Sequence, residues 1–258
     1  MTTGSTTALQ SSEAGAVQDS SPVTDYLSLS VNTVAGKIDL SRQLFDRSNP
    51  SVDTVLAQDL AADHAKQLDT QLLTQATNGV TVLSGTNAIT FTTGSPMVAL
   101  LYPKVADAIQ QVGVNRFAAA EAIVMHPRRW AWISAALDSQ NRSLVVPESN
   151  SASNAVGVFS QPTAEGAVGT VQGLPVFLDA NIPITLGAGT NQDLIIVARF
   201  SDDLLFEDPV PTVAVYEGVL SANLQVRILC YGYFAFTFAR YAKANSIISG
   251  TGLNTPTF

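Results

Sequence analysis

Residues 41–73 read S-R-Q-L-F-D-R-S-N-P-S-V-D-T-V-L-A-Q-D-L-A-A-D-H-A-K-Q-L-D-T-Q-L-L and contain a long helical pattern. Asn49 is a suitable N-cap, because its side-chain oxygen can accept from a free N–H of the first turn. Pro50 suits the first helical position, where no N–H is needed. No glycine or second proline interrupts the pattern before Asn78-Gly79, a typical stop. We therefore predict a helix over residues 50–76, roughly 40 Å long at 1.5 Å per residue.

One face of this helix is apolar. Leucine and valine recur at helical spacing, at Val52, Leu56, Leu60, Leu68 and Leu72, with Val55 and Leu73 beside them. Charged residues interrupt the rest of the surface, at Asp53, Asp59, Asp63, Lys66 and Asp69. The helix is roughly two to three times as long as an ordinary globular one. We expect a second long element to lie against it.

The rest of the chain alternates between short helices and apolar strands. Helices are predicted from Ser95-Pro96 to Gly113 and from Arg128 to Leu137. A hairpin is predicted from Val80–Leu83 and Ala88–Thr92. Further strands are predicted over Val23–Ile38, Ala122–Met125, Val171–Leu178, Leu194–Phe200, Val213–Tyr216, Leu224–Leu229, Tyr231–Phe238 and Ala244–Ile248. Residues 138–170 form a long polar loop, and Asp202-Asp203 a solvated acidic turn. The fold class is α+β.

Three parts of this pattern resemble a known family. The main part is the strand-like Val31–Leu40, followed by S-R-Q-L-F-D-R-S-N-P-S-V-D and the long helix. A weaker part is A-I-V-M-H-P-R-R-W-A-W-I (Ala122–Ile133), and a third is the apolar C-terminal stretch. The chain is similar to the major capsid proteins of tailed bacteriophages, which have the Hong Kong 97-like fold. The similarity is strongest over Val34–Leu73.

The resemblance implies a division of the chain into three parts. Residues 1–35 form an extended loop or arm that lies on a neighbouring subunit; the alternative from composition is a disordered tail. Residues 36–95 and 205–243 form a peripheral domain, in which the spine helix 50–76 lies on a β-sheet. Residues 96–204 and 244–258 form a central axial domain. The N-terminal part is too short for both an arm and a scaffolding region, so those pieces are absent from this chain or a separate protein supplies the scaffold.

Composition agrees with a subunit of a larger assembly. Of the 258 residues, 46% are hydrophobic and only 13% charged, which is low for a protein that must cover its own surface. Either partner subunits bury much of the exterior, or neutral Thr, Ser, Asn and Gln cover it. The net charge is −8, so no field attracts nucleic acid. No stretch approaches the roughly 18 apolar residues of a membrane span.

The sequence carries no pattern of a catalytic, cofactor or metal site. His64, His126 and Cys230 lack the spacing of a zinc site. His64 is expected to pack beside the apolar ridge of the long helix, and His126 to cap a helix. Neither a Walker loop nor G-x-S-x-G nor G-x-G-x-x-G occurs. We expect no enzyme and no cofactor.

Two basic residues, Arg128 and Arg129, stand beside Trp130. One interpretation is contact with single-stranded nucleic acid through a basic pair and stacking rings. The alternative is that Trp130 and Ile133 pack on one helix face while the arginines pair with carboxylates or backbone at a subunit contact. We favour the second. The residues predicted to contact neighbouring subunits are Tyr26, Leu29, Arg42, Arg47, Arg128 and Arg129.

The function that the resemblance implies is self-assembly. Hexamers and pentamers would close an icosahedral capsid around double-stranded DNA, which the chain contacts non-specifically. Expected partners are further copies and portal, scaffolding and decoration proteins; the expected location is the virion, after assembly in the host cytoplasm. An alternative is an encapsulin-type nanocompartment shell protein, and a further one an unrelated α+β enzyme or binding module.

The family's type member links its subunits covalently, through a lysine of the extended loop and an asparagine of a neighbour. Residues 1–36 of this chain contain no lysine, and Lys37 lies at the root of the loop. We therefore expect subunits that are held together without covalent links.

Overall fold

The computed structural model describes residues 5–10, 12–24, 26–48, 52–137, 140–143, 145–147, 157–159, 166–208 and 210–257. The predicted cap at Asn49 and Pro50 lies outside these residues. Contacts divide the chain into two units, Met1–Ser30 and Val31–Phe258.

The described part of the N-terminal unit is a chain with local turns. The Gly15 N–H donates to the Ser12 carbonyl at 3.2 Å, and Gln10 Nε2 donates to the Gly15 carbonyl at 2.7 Å. The strand predicted over Val23–Ile38 begins only at Asn32 and is therefore shorter at its start than predicted. This start coincides with the beginning of its antiparallel pairing with residues 225–234, in which Asn32 is the first paired residue.

The second unit contains helices and strands in alternation. Its α-helices are Arg42–Arg47 (α1), Val52–Thr74 (α2), Val98–Arg116 (α3) and Pro127–Ser134 (α4) within the described residues. The strands of that part of the chain are Asn32–Ser41 (β1), Asn87–Thr90 (β2), Ala122–Met125 (β3), Val145–Pro147 (β4), Gly157–Phe159 (β5), Ala167–Val171 (β6), Leu174–Leu178 (β7), Ile195–Ala198 (β8), Leu204–Glu207 (β9), Thr212–Leu220 (β10), Gln225–Thr237 (β11) and Asn245–Ser249 (β12). The mixed class of helix and sheet is thereby confirmed.

The first sheet has β11 at its centre. β1 and β10 pair with β11 on its two sides, both antiparallel, and β9 pairs with the end of β11. The predicted strands Leu224–Leu229 and Tyr231–Phe238 are one continuous strand. Cys230 joins them, because its buried side chain continues the inward alternation of Val226 and Ile228.

The long helix α2 packs on this sheet, as predicted. Leu60 is buried against Ile228 and Cys230. His64 lies so close to Gly232 that a Cβ there would stand 2.7 Å from the His64 Nε2 atom, so any larger residue at 232 would displace the imidazole. The 23-residue helix ends at Thr74, two residues before the predicted end. The chain then turns back, and the Val80 N–H donates to the Leu72 carbonyl.

The second sheet has strand order β2-β12-β8-β3-β7-β6-β5-β4 among the described residues. Its central strand β8 is buried on both faces. Ile195 and Val197 face the core that contains α3, whereas Ile196 and Ala198 belong to a second core with Leu73. This second core also contains Phe234 and Phe236 of β11, so it joins the two sheets.

Helix α3 confirms the predicted apolar face but not the predicted end. Leu101, Val105 and Val112 are buried in the core of the second sheet. The helix contains Pro103 and continues past Gly113 to Arg116. The burial of Val112 before Gly113, and the hydrogen bonds of Asn115 and Arg116 after it, outweigh the weak helix propensity of glycine, about 1 kcal/mol.

Two strand predictions are wrong in their pairing. Residues 80–83 form turns against the end of α2, and β2 pairs in parallel with β12, so the predicted hairpin of Val80–Leu83 and Ala88–Thr92 is absent. The predicted strand Val171–Leu178 is a hairpin instead. It turns at Gln172 and Gly173, which have φ angles of +52° and +83°. A primed turn of this kind fits the twist of a two-residue hairpin.

The other differences concern ends and loops. Helix α4 ends at Ser134, three residues before the predicted Leu137, with the Ala136 N–H bonded to the Ile133 carbonyl in a tightened last turn. Much of the predicted loop 138–170 lies outside the described residues, but β4, β5 and most of β6 fall within it. Asp202-Asp203 is not a solvated turn: Asp202 is buried and accepts two hydrogen bonds from Arg116.

The packing of α2 gives a first test. Substitution Leu60→Asp places a charge against Ile228 and Cys230 without a partner, and it is expected to reduce the free energy of unfolding by about 3 kcal/mol or more. The melting temperature should then fall by about 10 °C. Ala62→Asp is the control, since Ala62 is exposed on the same helix. Equal melting temperatures of the two variants would show that the buried face of α2 is wrongly assigned.

Candidate inter-subunit surfaces

An apolar surface lies along β9, β10 and the segment between them. We call it the β9–β10 surface; its exposed large side chains are Leu205, Phe206, Val210, Val213, Val215, Tyr216 and Val219. The sheet register places Leu205, Val213 and Val215 on the face that carries α2, and Phe206 and Tyr216 on the opposite face. Single exposed apolar residues are normal on a protein surface, whereas groups of them on adjacent strands are candidates for interaction sites. Of the surfaces described here, this one is therefore a strong candidate for contact with another chain.

The position of α2 explains why this surface is uncovered. In the sheet register Val215 lies directly opposite Ile228, so both side chains are on the face that carries α2. Ile228 is 2% exposed, but Val215 is 49% exposed. The helix packs on β1 and β11 and leaves the face of β10 open. The apolar face of the sheet is thus wider than the helix that covers it.

The same strand has a free edge. β10 pairs with β11 on one side, and no strand in the described part of the chain pairs with its other side. Unpaired N–H and C=O groups along such an edge can bind a strand of another chain. The β9–β10 surface therefore offers both apolar side chains and backbone hydrogen-bonding groups.

Of the predicted contact residues, Arg42 and Arg47 lie on α1. Arg42 bonds to Asp46 at 3.0 Å and to Glu217 of β10 at 3.2 Å, and these two hydrogen bonds raise the pKa of its guanidinium. The side chains are exposed, so the ion pairs add little stability. Arg47 is exposed on the same helix. Arg42 thus connects α1 to the strand that carries the apolar surface.

Arg128 and Arg129 instead bind within their own chain. Arg128 Nε donates to Asp193 Oδ2 at 2.6 Å, and Arg129 donates to both oxygens of Asp193 at 3.0 and 3.1 Å. Arg129, 1% exposed, also donates to the Asn254 carbonyl at 2.8 Å. The expected pairing with a carboxylate and with backbone is present, but the carboxylate belongs to the same chain. A role of these arginines at a subunit contact remains a prediction.

Asp193 is the residue that sequence reasoning missed here. Its carboxylate is fully buried between the two guanidinium groups. Burial lowers the pKa of Arg129, and the charge of Asp193 acts in the opposite direction. Asp193 precedes the buried strand β8. An acidic residue at the start of such a strand is the one sequence feature that could have indicated a buried partner for the arginines. The cluster attaches the C-terminal segment to α4.

Tyr26 and Leu29 belong to the N-terminal unit. Tyr26 is 86% exposed and Leu29 is partly buried. Large aromatic side chains that are exposed to this degree are frequent anchors of interfaces. Their contact with a neighbouring subunit stays a prediction.

The histidines behave as structural residues. His126 Nδ1 accepts from the Arg128 N–H at 3.1 Å, which confirms the predicted cap, and burial lowers the His126 pKa. His64 packs over Gly232, as its place beside the apolar ridge predicted.

Among the described residues, no group of three His, Cys, Asp or Glu side chains could hold a metal ion. In the same part of the chain, no helix has the length and hydropathy of a membrane span.

Solved structures of shell proteins share this fold. The capsid of an empty GTA particle matches with a TM-score of 0.66 and 17% identity, over 96% of this chain and 81% of the other. A solved structure of Gordonia phage Cozz matches with a TM-score of 0.63 and 14% identity, over 95% and 79%. The SrpI encapsulin of Synechococcus elongatus matches with a TM-score of 0.54 and 13% identity, over 88% and 76%. No curated protein sequence matches the chain.

The model of the Phage capsid family matches residues 1–252, nearly the whole sequence. The family and the fold imply a structural protein of a virion capsid, not a catalyst, in agreement with the resemblance seen around the long helix. The chain belongs to the Phage capsid family.

Proposed function

We propose that the chain forms hexamers and pentamers that close an icosahedral shell around double-stranded DNA. The observation that carries this proposal is the uncovered β9–β10 surface on a chain with only 13% charged residues, in a family of capsid proteins. Many modest interfaces of this kind close together by symmetry, so each can be weak alone.

The domain roles follow from this proposal. Residues 1–35 act as the extended arm that lies on a neighbour, except that the last four of them belong to β1 and pair with β11 of their own chain. Residues 36–95 and 205–243 form the peripheral domain, and residues 96–204 and 244–258 form the axial domain around the capsomer axes. Tyr26, Leu29, Arg42 and Arg47 contact neighbouring copies.

Contact with packaged DNA is non-specific in this proposal. The net charge of −8 disfavours tight binding of a polyanion, and a wall that does not grip the polymer allows it to be packed and released. Portal, scaffolding and decoration proteins join the shell, which assembles in the host cytoplasm.

A nanocompartment shell is the second candidate, favoured by the similarity to the SrpI encapsulin. The contents of purified particles distinguish the two functions. Double-stranded DNA that resists nuclease supports the capsid, whereas an enclosed enzyme supports the nanocompartment.

Assembly is tested by substitution on the β9–β10 surface. Val215→Asp adds a charge that must be desolvated in each interface, and it is expected to raise the concentration required for assembly at least about tenfold. Val82→Asp is the matched control, because Val82 is exposed to a similar degree in a turn after α2. Sedimentation velocity measures both. Assembly of Val215→Asp at the wild-type concentration would remove this surface from the interface, and a wild type that stays monomeric across micromolar concentrations and salt would refute assembly itself.

Covalent links between subunits are a separate question. An isopeptide bond needs a lysine amine beside an asparagine carbonyl of another subunit, and residues 1–36 contain no lysine. Assembled particles, boiled in denaturant with reductant, are expected to give a single band at the mass of one chain in gel electrophoresis. A ladder of multimers would show that another residue supplies the link.

A further inference from the structure

A cleft of about 590 Å³ opens where the end of α2 meets the second sheet and β9. Apolar side chains form most of its wall, among them Leu72, Val80, Val124, Phe177, Ile196 and Phe238. Clefts of this volume and polarity are typical of ligand sites. No side chain of the described residues fills it, and Leu205 of the β9–β10 surface lies at its border.

Three carboxyl groups interrupt this apolar wall. Asn181 connects Asp69 of α2 with Asp179 after β7: its Nδ2 group donates to Asp69 Oδ2 and its backbone N–H donates to Asp179 Oδ1, each at 2.7 Å. Asp203 precedes β9 and accepts from Asn245 Nδ2 at 3.1 Å through its Oδ1 atom. Its Oδ2 atom is buried and has no hydrogen-bond partner among the described residues.

The carboxyl groups are poorly neutralised by their own chain. Burial raises the pKa of Asp203 to about 7, with further contributions from the charges of Asp202 and Glu121. Burial also raises the pKa of Asp179 to about 6, and the neighbouring Asp69 adds to this. The nearby cations are engaged elsewhere: Arg116 binds Asp202, and Arg199 binds Glu121 and Asp202. A further positive charge in the cleft would relieve the cost of burying these groups.

We propose that this cleft binds a lysine or arginine side chain carried on an apolar segment of a partner polypeptide. The aliphatic stem of the side chain lies on Leu72, Val80 and Phe238, its charged end donates to the unpartnered Oδ2 atom of Asp203, and the charge of Asp179 on the same wall attracts it. An apolar wall with acidic groups suits such a side chain, since its stem is hydrophobic and its end is cationic. Residues 1–36 contain neither lysine nor arginine, so the arm of a second copy cannot be this occupant.

Three small probes separate the contribution of charge to the binding affinity from that of apolar contact. n-Hexylammonium mimics a lysine side chain, and n-hexanol and hexanoate have the same carbon chain with no charge and with a negative charge. Ligand-observed saturation-transfer NMR on the full-length protein at pH 8 is expected to give saturable binding of n-hexylammonium, at least tenfold tighter than that of n-hexanol. Hexanoate should not bind. Equal affinities of hexylammonium and hexanol would overturn the proposal.

Variants assign the binding to the cleft. Asp179→Asn and Asp203→Asn keep the shape of the side chain and remove its charge, and each is expected to weaken hexylammonium at least fivefold. Asp59→Asn is the control, because Asp59 is exposed on the same helix as Asp69. Melting curves check that all variants are folded. Unchanged binding by both cleft variants, or equal weakening by Asp59→Asn, would overturn the assignment.

The two raised pKa values predict the pH dependence of binding. At pH 4.5 both Asp179 and Asp203 are neutral in the folded protein, so hexylammonium should bind about as weakly as hexanol. The affinity of hexanol should not change between pH 4.5 and pH 8. Hexylammonium binding that is equally tight at both values would contradict a role of these carboxyl groups.

A peptide tests the nature of the occupant. Acetyl-Leu-Lys-Leu-Leu-amide is expected to displace hexylammonium, and a peptide with norleucine in place of lysine should do so at least tenfold less well. Failure of the lysine peptide to displace the probe would overturn the polypeptide as occupant and leave a free amine. If the wild-type chain self-associates and Asp179→Asn abolishes this self-association, the occupant is a second copy of the chain. That result would overturn the proposal of a separate partner polypeptide.

Discussion

The architecture depends on the burial of the C-terminal end of α2 between two sheets. Leu73 packs in one core with Ile196 and Ile247 of the second sheet and with Phe234 and Phe236 of the first. The other half of the helix lies on the first sheet alone, where Leu60 meets Ile228. The end of this helix belongs to the core that joins the two sheets, so a change in its position would be transmitted to both. A rigid element of about 35 Å, at 1.5 Å per residue, suits that task.

Charged residues are few, and the most deeply buried ones form ion pairs with other residues of the same chain. Asp193 binds Arg128 and Arg129 and thereby attaches the C-terminal segment, while Asp202 binds Arg116 at the end of α3. Breaking buried pairs of this kind costs more than their formation contributes, because one charge is left without a partner. The exposed β9–β10 surface, in contrast, is formed mainly by apolar side chains.

The parts of the fold that local chemistry determines could be predicted, and those that depend on distant partners could not. The face of α2 follows from leucines at helical spacing, and the His126 cap from the proline after it; both were predicted. The parallel pairing of β2 with β12 joins segments about 160 residues apart, and no local pattern indicates it. The exposure of Val215 depends on where α2 stops covering the sheet, so the residue type alone could not indicate it. Likewise the partner of Arg129 lies 64 residues further along the chain.

The cleft and the proposed assembly surface share one strand. Leu205 borders the cleft and also belongs to the β9–β10 surface, and Asp203 immediately precedes the same strand. β9 pairs with β11 through residues 204–207, so a displacement of β9 acts directly on the central strand of the first sheet. Suppose that an occupant binds the cleft more tightly when β9 is in one position. Assembly that uses the same position of β9 must then raise the affinity of the cleft for the occupant, because coupling free energies between two sites are reciprocal. In the proposed shell, an occupant held by these desolvated acids would therefore act on assembly through the packing of β9.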